Sequence, residues 1–426
     1  MRILLAANAS YVPPRGGATR SNLSWMDRLA EAGHGCRILA APLPRDAGRR
    51  EQMLEERIDA QPIEVEPGIE VARRGPIAIW AVNDPGRRVR ALREQIARFR
   101  PDRVLVSSED LGHALLCEAL GSAPGRVVYL AHTAQFLPFG RESWNPHPQG
   151  AALAGACAGI VAIGRRMAGY IEDAVGRPAT VIHPPIYGAG PFPLYRNFGR
   201  GLVTMINPCA VKGISIFLEL AERFPAVEFG VVPGWGTTAD DRRALGLLAN
   251  VRVLPNCRDI DEALAETRVL LMPSLWFEGF GLIVMEAMLR GIPVIASGSG
   301  GLVEAKEGTG YVIPVRTIAR YEAQFDATGM PRTVLPANDI GPWAEALDEL
   351  LTSREAYERE AARSREAGLR FIAGLDAGRM ERYLLGLEPQ SAPAHFAAVQ
   401  SAAESLPPER RALLLKRLRA RRRESR

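Results

Sequence analysis

The amino-acid sequence predicts an α/β protein of two doubly wound, Rossmann-like domains facing each other across a cleft, with a basic tail at the C-terminal end. Three observations predict it. Short β-branched runs alternate with helical patterns from the first residues onward. A Pro/Gly-rich segment at 184–200 interrupts that alternation, which then begins again. At 426 residues the chain also exceeds what one hydrophobic core usually serves.

The elements follow in order. RILLAA (2–7) reads as a buried first strand, followed by a Pro/Gly loop and a helix near 19–32 that ends at Gly33. CRILAAP (36–42), RVLVSS (103–108), RVVYLAH (126–132), GIVAIG (159–164) and ATVIHPP (179–185) are the next strands, with helical segments between most of them. At 62–82 the run IEVEPGIEV reads as a hairpin and breaks the alternation, so it is expected to be an insertion. After the interruption come LVTMIN (202–207), a helix from Gly213 to Phe224, EFGVV (228–232), VRVLP (251–255), VLLMPS (269–274), PVIAS (293–297) and YVIPV (311–315). Helical segments at 340–352, 354–371 and 376–387 close the second half. The boundaries expected are 1–188 for the first domain, 189–200 for a linker, 201–372 for the second domain, 373–388 for a closing helix, and 389–426 for a flexible linker and tail.

Composition excludes several classes. Hydrophobic residues make up 47% and charged residues 24%, the balance of a globular protein. No apolar run reaches the roughly 18 residues of a membrane span, and the N-terminus lacks a signal-peptide cleavage region. Five scattered cysteines, with no CxxC pair, argue against a disulfide framework or zinc site and for a reducing cytoplasm. The net charge of +5 is misleading until it is located. Residues 405–426 hold nine basic side chains against Glu409 and Glu424, a balance of +7, so the other 404 residues sum to −2. The body is therefore not expected to bind nucleic acid specifically.

The most informative segment is LLMPSLWFEGFGLIVMEAMLRGIPVIAS (270–297). A strand ends at Ser274, a glycine-containing loop carries Glu278, and a helix begins near Leu282 with Glu286 in its second turn. The amides of Phe280, Gly281 and Leu282 would be unpaired donors at a helix N-terminus, a place that favours phosphate. Glu278 and Glu286 would sit at two depths of one cleft, where carboxylates accept pairs of sugar hydroxyls. On this segment the chain resembles the glycosyltransferases of family 4, whose fold is called GT-B. Glu278, Gly279, Phe280, Gly281, Glu286, Ala287, Met288, Gly291, Pro293 and Val294 match the family's two-glutamate signature position by position. The resemblance implies a retaining transferase that uses a nucleotide-sugar donor, and with no DxD-like acidic pair at a strand end and no His/Cys cluster it is expected to be metal-independent. It implies that Glu278 contacts the transferred sugar and Glu286 the ribose, with Gly279 and the amides of 280–282 lining the donor. The second domain then binds the donor, the first the acceptor, and the helix 373–388 returns to the first domain.

Other loops are read beside this one. Ser299-Gly300-Gly301-Leu302-Val303-Glu304 is similar to the family's G-G-x-x-E loop, and its glycines allow close backbone approach. Pro13-Pro14-Arg15-Gly16-Gly17-Ala18 joins the first strand to the first helix. Gly16 and Gly17 match the family's glycine pair near the pyrophosphate, although a tight βα turn explains them equally well. His132 ends the strand RVVYLAH. It is either structural or, as the resemblance implies, placed against the reacting sugar. Asn207-Pro208-Cys209-Ala210-Val211-Lys212-Gly213 opens the second domain. Lys212 matches a pyrophosphate-binding lysine and suits a phosphate oxygen as a point charge. Asn207, also expected among the donor-binding residues, stands where the family usually carries arginine, and Arg15, Arg20 and Arg258 are the cations available to replace it.

The function expected is transfer of a sugar from a nucleotide donor, with UDP the family-weighted choice, to a hydroxyl acceptor. Glu278, His132 and Lys212 are the candidate catalytic residues. Two rivals remain open. One is a non-catalytic accessory protein of the same fold, favoured by Asn207. The other is a sugar-nucleotide epimerase, for which acid/base groups beyond His132 are not evident. The tail SLPPERRALLLKRLRARR is similar to segments that begin condensation domains in modular peptide synthetases. It would dock a natural-product assembly line, lie on an anionic membrane, or remain a solvated basic end.

Overall fold

A computed structural model describes residues 1–388 except 12, 13, 15, 44–48, 56, 60, 257 and 258. The first half forms a nine-stranded sheet. Its strands are β1 (Arg2–Ala6), β2 (Gly35–Ala40), β3 (Ile63–Glu66), β4 (Ile69–Arg74), β5 (Ile77–Val82), β6 (Arg103–Ser107), β7 (Val127–Ala131), β8 (Gly159–Ala162) and β9 (Thr180–Val181), in the order β3-β4-β5-β2-β1-β6-β7-β8-β9. From β5 to β9 every pairing is parallel. Successive residues of β1 feed opposite faces: Leu4 and Ala6 join one core, Ile3 and Leu5 the other. With both faces covered by helices, the strands read as continuous apolar runs rather than alternating ones.

The segment 62–82 differs from its expectation as an insertion. β3 and β4 do form an antiparallel hairpin, but β5 returns parallel to β2 and the hairpin extends the edge of the same sheet. The outermost strand carries the exposed Glu64, a charge that blunts an otherwise unpaired edge.

The second half forms a six-stranded, all-parallel sheet of β10 (Leu202–Ile206), β11 (Phe229–Val232), β12 (Val251–Val253), β13 (Thr267–Met272), β14 (Val294–Ser297) and β15 (Val312–Ile313), ordered β12-β11-β10-β13-β14-β15. A separate antiparallel hairpin, β16 (Arg320–Phe325) with β17 (Pro331–Val334), follows it. Helices Gly341–Thr352 and Arg354–Ala373 pack on this sheet. The last helix, Arg379–Gly386, places Met380 and Leu384 in the core of the first sheet beside Met26 and Leu29. The carboxyl ends of the parallel strands of the two sheets, where loops are free to present side chains, meet at the residues described next.

Candidate active site

Glu278 follows β13 in the loop that leads to helix Leu282–Leu289. Its carboxylate is buried, with Oε1 accepting from Lys212 Nζ at 2.5 Å and from Ser274 Oγ at 2.5 Å. Lys212 reaches it from a single 3-10 turn, Ala210–Lys212, after β10. The turn is closed by Gly213 at φ 81, where a Cβ would stand 2.0 Å from the Pro273 carbonyl oxygen, so only glycine lets the two loops approach. The Lys212 ammonium also lies 4.4 Å over the ring of Trp276.

The glycine loop after β14 buttresses this arrangement. Gly301 N donates to the Glu278 carbonyl at 2.7 Å, Ser299 Oγ to the Trp276 carbonyl and Ser297 Oγ to the Ser274 carbonyl, each at 2.6 Å. At Gly300, with φ 54, a Cβ would lie 2.4 Å from the Glu278 carbonyl oxygen. The loop thus holds the Glu278 backbone in place. Its Glu304 crosses to the first domain, accepting from Arg166 N at 3.2 Å at the start of helix Arg165–Val175 and lying 3.5 Å from His183 Nε2. Burial raises the Glu304 carboxyl above its ordinary range.

Glu286 lies one turn into helix Leu282–Leu289, buried, and pairs at 2.9 Å with Arg20 Nη2 from helix Gly17–Glu31 of the first domain. Of the three cations suggested by sequence, Arg20 is therefore brought to the cleft, at Glu286 rather than beside Asn207. Arg15 and Arg258 lie outside the described residues. Gly16, at φ 86, precedes that first helix without a side-chain cap, and a Cβ on Gly17 would meet Leu282 Cδ1 at 2.6 Å. The N-termini of one helix from each domain consequently face one another at this point. Phe280 contributes backbone only: its ring is buried against His183 and Phe371.

His132 is buried at the end of β7. Its Nε2 lies 2.8 Å from Asn22 Oδ1, and its ring stacks on Trp25 with centroids 5.6 Å apart. The Asn22 amide nitrogen donates to Tyr11 and Ser107, which leaves its oxygen for His132. Nε2 then carries the proton and Nδ1, which has no partner among the described residues, is an acceptor. Burial pushes the pKa down to about 3, so the ring is neutral. The His132 carbonyl oxygen, meanwhile, abuts the second domain: a Cβ on Gly279 would stand 2.1 Å from it.

Asn207 packs against the loop that follows β11, with its amide nitrogen buried and without a partner among the described residues. Its Oδ1 accepts from Gly236 N at 2.9 Å, which ties the side chain to that loop while its amide N–H groups stay free to donate. Sequence reasoning missed Ser274, Asn22 and the aromatic side chains Trp144, Trp235 and Trp276. Trp276 directly precedes the Glu278 loop, a position that signals proximity, but the others come together only in three dimensions.

Residues 15–187 match the model of Glycosyltransferase Family 4 and residues 202–353 that of Glycosyl transferases group 1. The chain belongs to glycosyltransferase family 4. The chain is 31% identical over 137 residues to the Neurospora crassa alpha-1,3/1,6-mannosyltransferase alg-2, covering 32% of this chain and 23% of that protein. It is 29% identical over 162 residues to a D-inositol 3-phosphate glycosyltransferase of Mycobacterium sp. strain KMS, covering 36% and 32%. The chain thus spans no more than a third of the length of these curated relatives. The fold is shared over nearly all of it. Sucrose-phosphate synthase from Thermosynechococcus elongatus superposes with a TM-score of 0.64 at 17% identity, covering 91% of this chain and 100% of that one. Anabaena HepE, solved with UDP and glucose, superposes at 0.61 and 17% identity, covering 90% and 98%. The architecture is accordingly GT-B.

Proposed function

We propose that this family-4 chain transfers a sugar from a nucleoside diphosphate sugar, held in the cleft, to an acceptor hydroxyl. The observation that carries the reading is the pair of buried carboxylates, each already matched by a cation: Glu278 by Lys212, and Glu286 by Arg20 from across the cleft. A ligand with ribose hydroxyls at Glu286, a diphosphate at Lys212 and a sugar at Glu278 satisfies all of these groups. The uncapped N-termini of helices Leu282–Leu289 and Gly17–Glu31 add oriented amides for the same negative charge.

In this reading, bond breaking at the anomeric carbon leaves charge on the departing diphosphate, which Lys212 and the helix amides stabilise electrostatically. Arg20, released from Glu286 as ribose binds, is the cation that compensates for Asn207. The His132 Nδ1 lone pair accepts from a hydroxyl of the sugar ring. The acceptor hydroxyl passes its proton to the leaving phosphate oxygen on the face from which that oxygen departs, so configuration is retained without a protein nucleophile. Charge is assigned here to side chains and amides rather than to a divalent cation, and UDP, present in the HepE structure, is the proposed donor nucleotide.

An acceptor on a glycan or a peptide or polyketide product rests on the sequence alone. The same holds for docking or peripheral membrane contact through residues 405–426, which lie outside the described residues. Among the described residues no helix is long and apolar enough to cross a membrane.

The test is thermal stabilisation by UDP, GDP and dTDP in EDTA, beside Glu286→Ala. A nucleotide at a hundred times its dissociation constant adds about 2.7 kcal/mol. Stabilisation by one nucleotide, lost in the variant, is the expected result. Stabilisation by none would instead favour the accessory-protein reading, which the replacement of the family's arginine by Asn207 suggests.

A further inference from the structure

The substitution of asparagine at 207 changes what the neighbouring loop can do. Asn207 has φ 58, a left-handed conformation that asparagine tolerates better than arginine. From there its side chain lies flat against loop 233–237: a Cβ on Gly234 would stand 2.5 Å from Oδ1, which accepts from Gly236 N. The loop is tied a second time by Thr237 Oγ1, which accepts from Gly234 N at 3.0 Å. Beyond it, the reciprocal bonds of Thr238 and Asp241 anchor the start of helix Ala239–Gly246. Gly236 itself sits so close to Cys209 that a Cβ there would be 2.8 Å from the sulfur.

What this pinned loop presents at its tip is an indole in water. Trp235 is 48% exposed, with its ring 5.7 Å from that of Trp276 at a tilt of 33°. Trp276 in turn carries Lys212 on its ring, and Lys212 holds Glu278, so Trp235 stands one ring removed from the candidate catalytic pair. Trp276 packs with Cys209, Val211 and Met330 and touches Trp144 from the first domain, whereas the helix bearing Glu286 packs into a different core with Met272 and Ile163. Through Trp276, Trp235 is thus linked to Trp144, a loop residue of the domain assigned to the acceptor.

We propose that Trp235 is a stacking platform for a pyranose ring of the acceptor, and that Asn207 is the positioning residue that holds it there. The proposal rests on the glycosyltransferase reading above. A pyranose offers one face of axial C–H groups to an aromatic ring while its hydroxyls stay hydrated, which suits an indole that is half exposed. Tying the loop beforehand removes ordering cost from binding. The family's arginine at 207 would forfeit the bond to Gly236 and adopt the left-handed backbone less readily.

Saturation-transfer NMR with methyl α- and β-glucopyranosides and mannopyranosides, in saturating UDP, tests it, with UDP affinity measured separately by calorimetry. Wild type is expected to transfer saturation to the ring protons of at least one glycoside. Trp235→Ala weakens that binding about fivefold to tenfold, while Trp235→Phe largely restores it. Asn207→Arg weakens it although Trp235 is intact, and Asn207→Asp, which keeps the acceptor oxygen, does not. UDP affinity stays the same in both Trp235 variants, and circular dichroism confirms that each is folded. No glycoside binding by wild type, or unchanged binding by Trp235→Ala, overturns the proposal. A loss of UDP affinity instead assigns the ring to the nucleobase and overturns it as well. Glycoside binding without any nucleotide binding removes the transferase reading and leaves the platform standing.

Discussion

Gly279→Ala adds one methyl group where the two domains meet. Its Cβ would lie 2.1 Å from the His132 carbonyl oxygen, and the Ile163 side chain is 3.6 Å away on another side. An ordinary contact of this kind needs roughly 1 Å more separation. The His132 carbonyl cannot easily turn, because the residue is tied to Ser108 through its amide and to Asn22 through its ring. The softer response is for the cleft to open. Each domain keeps its own core in that case, so stability changes by less than the roughly 1–3 kcal/mol of an overpacked interior. The reacting groups, however, straddle the opening, and a misplacement of about 1 Å costs on the order of a hundredfold in rate. Sugar transfer measured at saturating donor should therefore fall about a hundredfold, while the melting temperature stays near wild type. A turnover within about threefold of wild type would refute the reasoning: the working cleft would then be more open than the contact between Gly279 and His132 implies.

Three further outcomes follow from the same geometry. Lys212→Met should cost about a hundredfold to a thousandfold in turnover and about 3 kcal/mol in denaturant stability by stranding the buried Glu278; adding Glu278→Gln should restore stability without restoring turnover. Gly300→Ala forces a side chain onto φ 54 and against the Glu278 backbone, so urea unfolding should show a loss of at least about 2 kcal/mol together with weaker nucleotide binding. Burial depresses the His132 pKa to about 3, so below the ordinary imidazole value the unfolded chain takes up a proton that the native ring refuses. The contribution of His132 to stability is thus lost as pH falls from about 6.5 toward 3, by up to roughly 1.4 kcal/mol per pH unit. His132→Gln, which can still donate to Asn22, should remove that loss; comparing the two proteins at each pH cancels Glu109, whose pKa burial raises to about 7 and which acts in the opposite direction. A wild-type-minus-variant difference that stays flat between pH 7 and 4.5 would mean that the ring is not held neutral.

The two parallel sheets were legible because a strand buried on both faces must be a continuous apolar run, and a helix covering it must be apolar at helical spacing. VLLMPS and PVIAS announce themselves locally. The segment from Glu278 to Glu286 was legible for a similar reason: a loop that brings amides to a ligand needs glycine at particular backbone angles, and Gly281, at φ 104, meets that need within a few residues of chain. The hairpin of β16 and β17 was missed although RYEAQF alternates Tyr321, Ala323 and Phe325 with polar residues, because so short an alternation on a largely exposed strand marks no buried face. Nor was the return of β5 to the sheet, because the pairing partner of a strand is not written in its own residues.

What the sequence by itself determined is the class of fold, the family, and the loops that carry Lys212, Glu278 and Glu286. What only the tertiary structure decided is which groups those side chains meet. Arg20 finds Glu286 across 266 residues of chain, Gly17 faces Leu282, the His132 carbonyl rests on Gly279, and Asn207 spends its oxygen on Gly236 beneath an exposed tryptophan. Periodicity and glycine placement record local backbone demands, which act within a few residues. The contacts between loops of different strands depend on where two sheets end in space, and no short-range pattern encodes that distance.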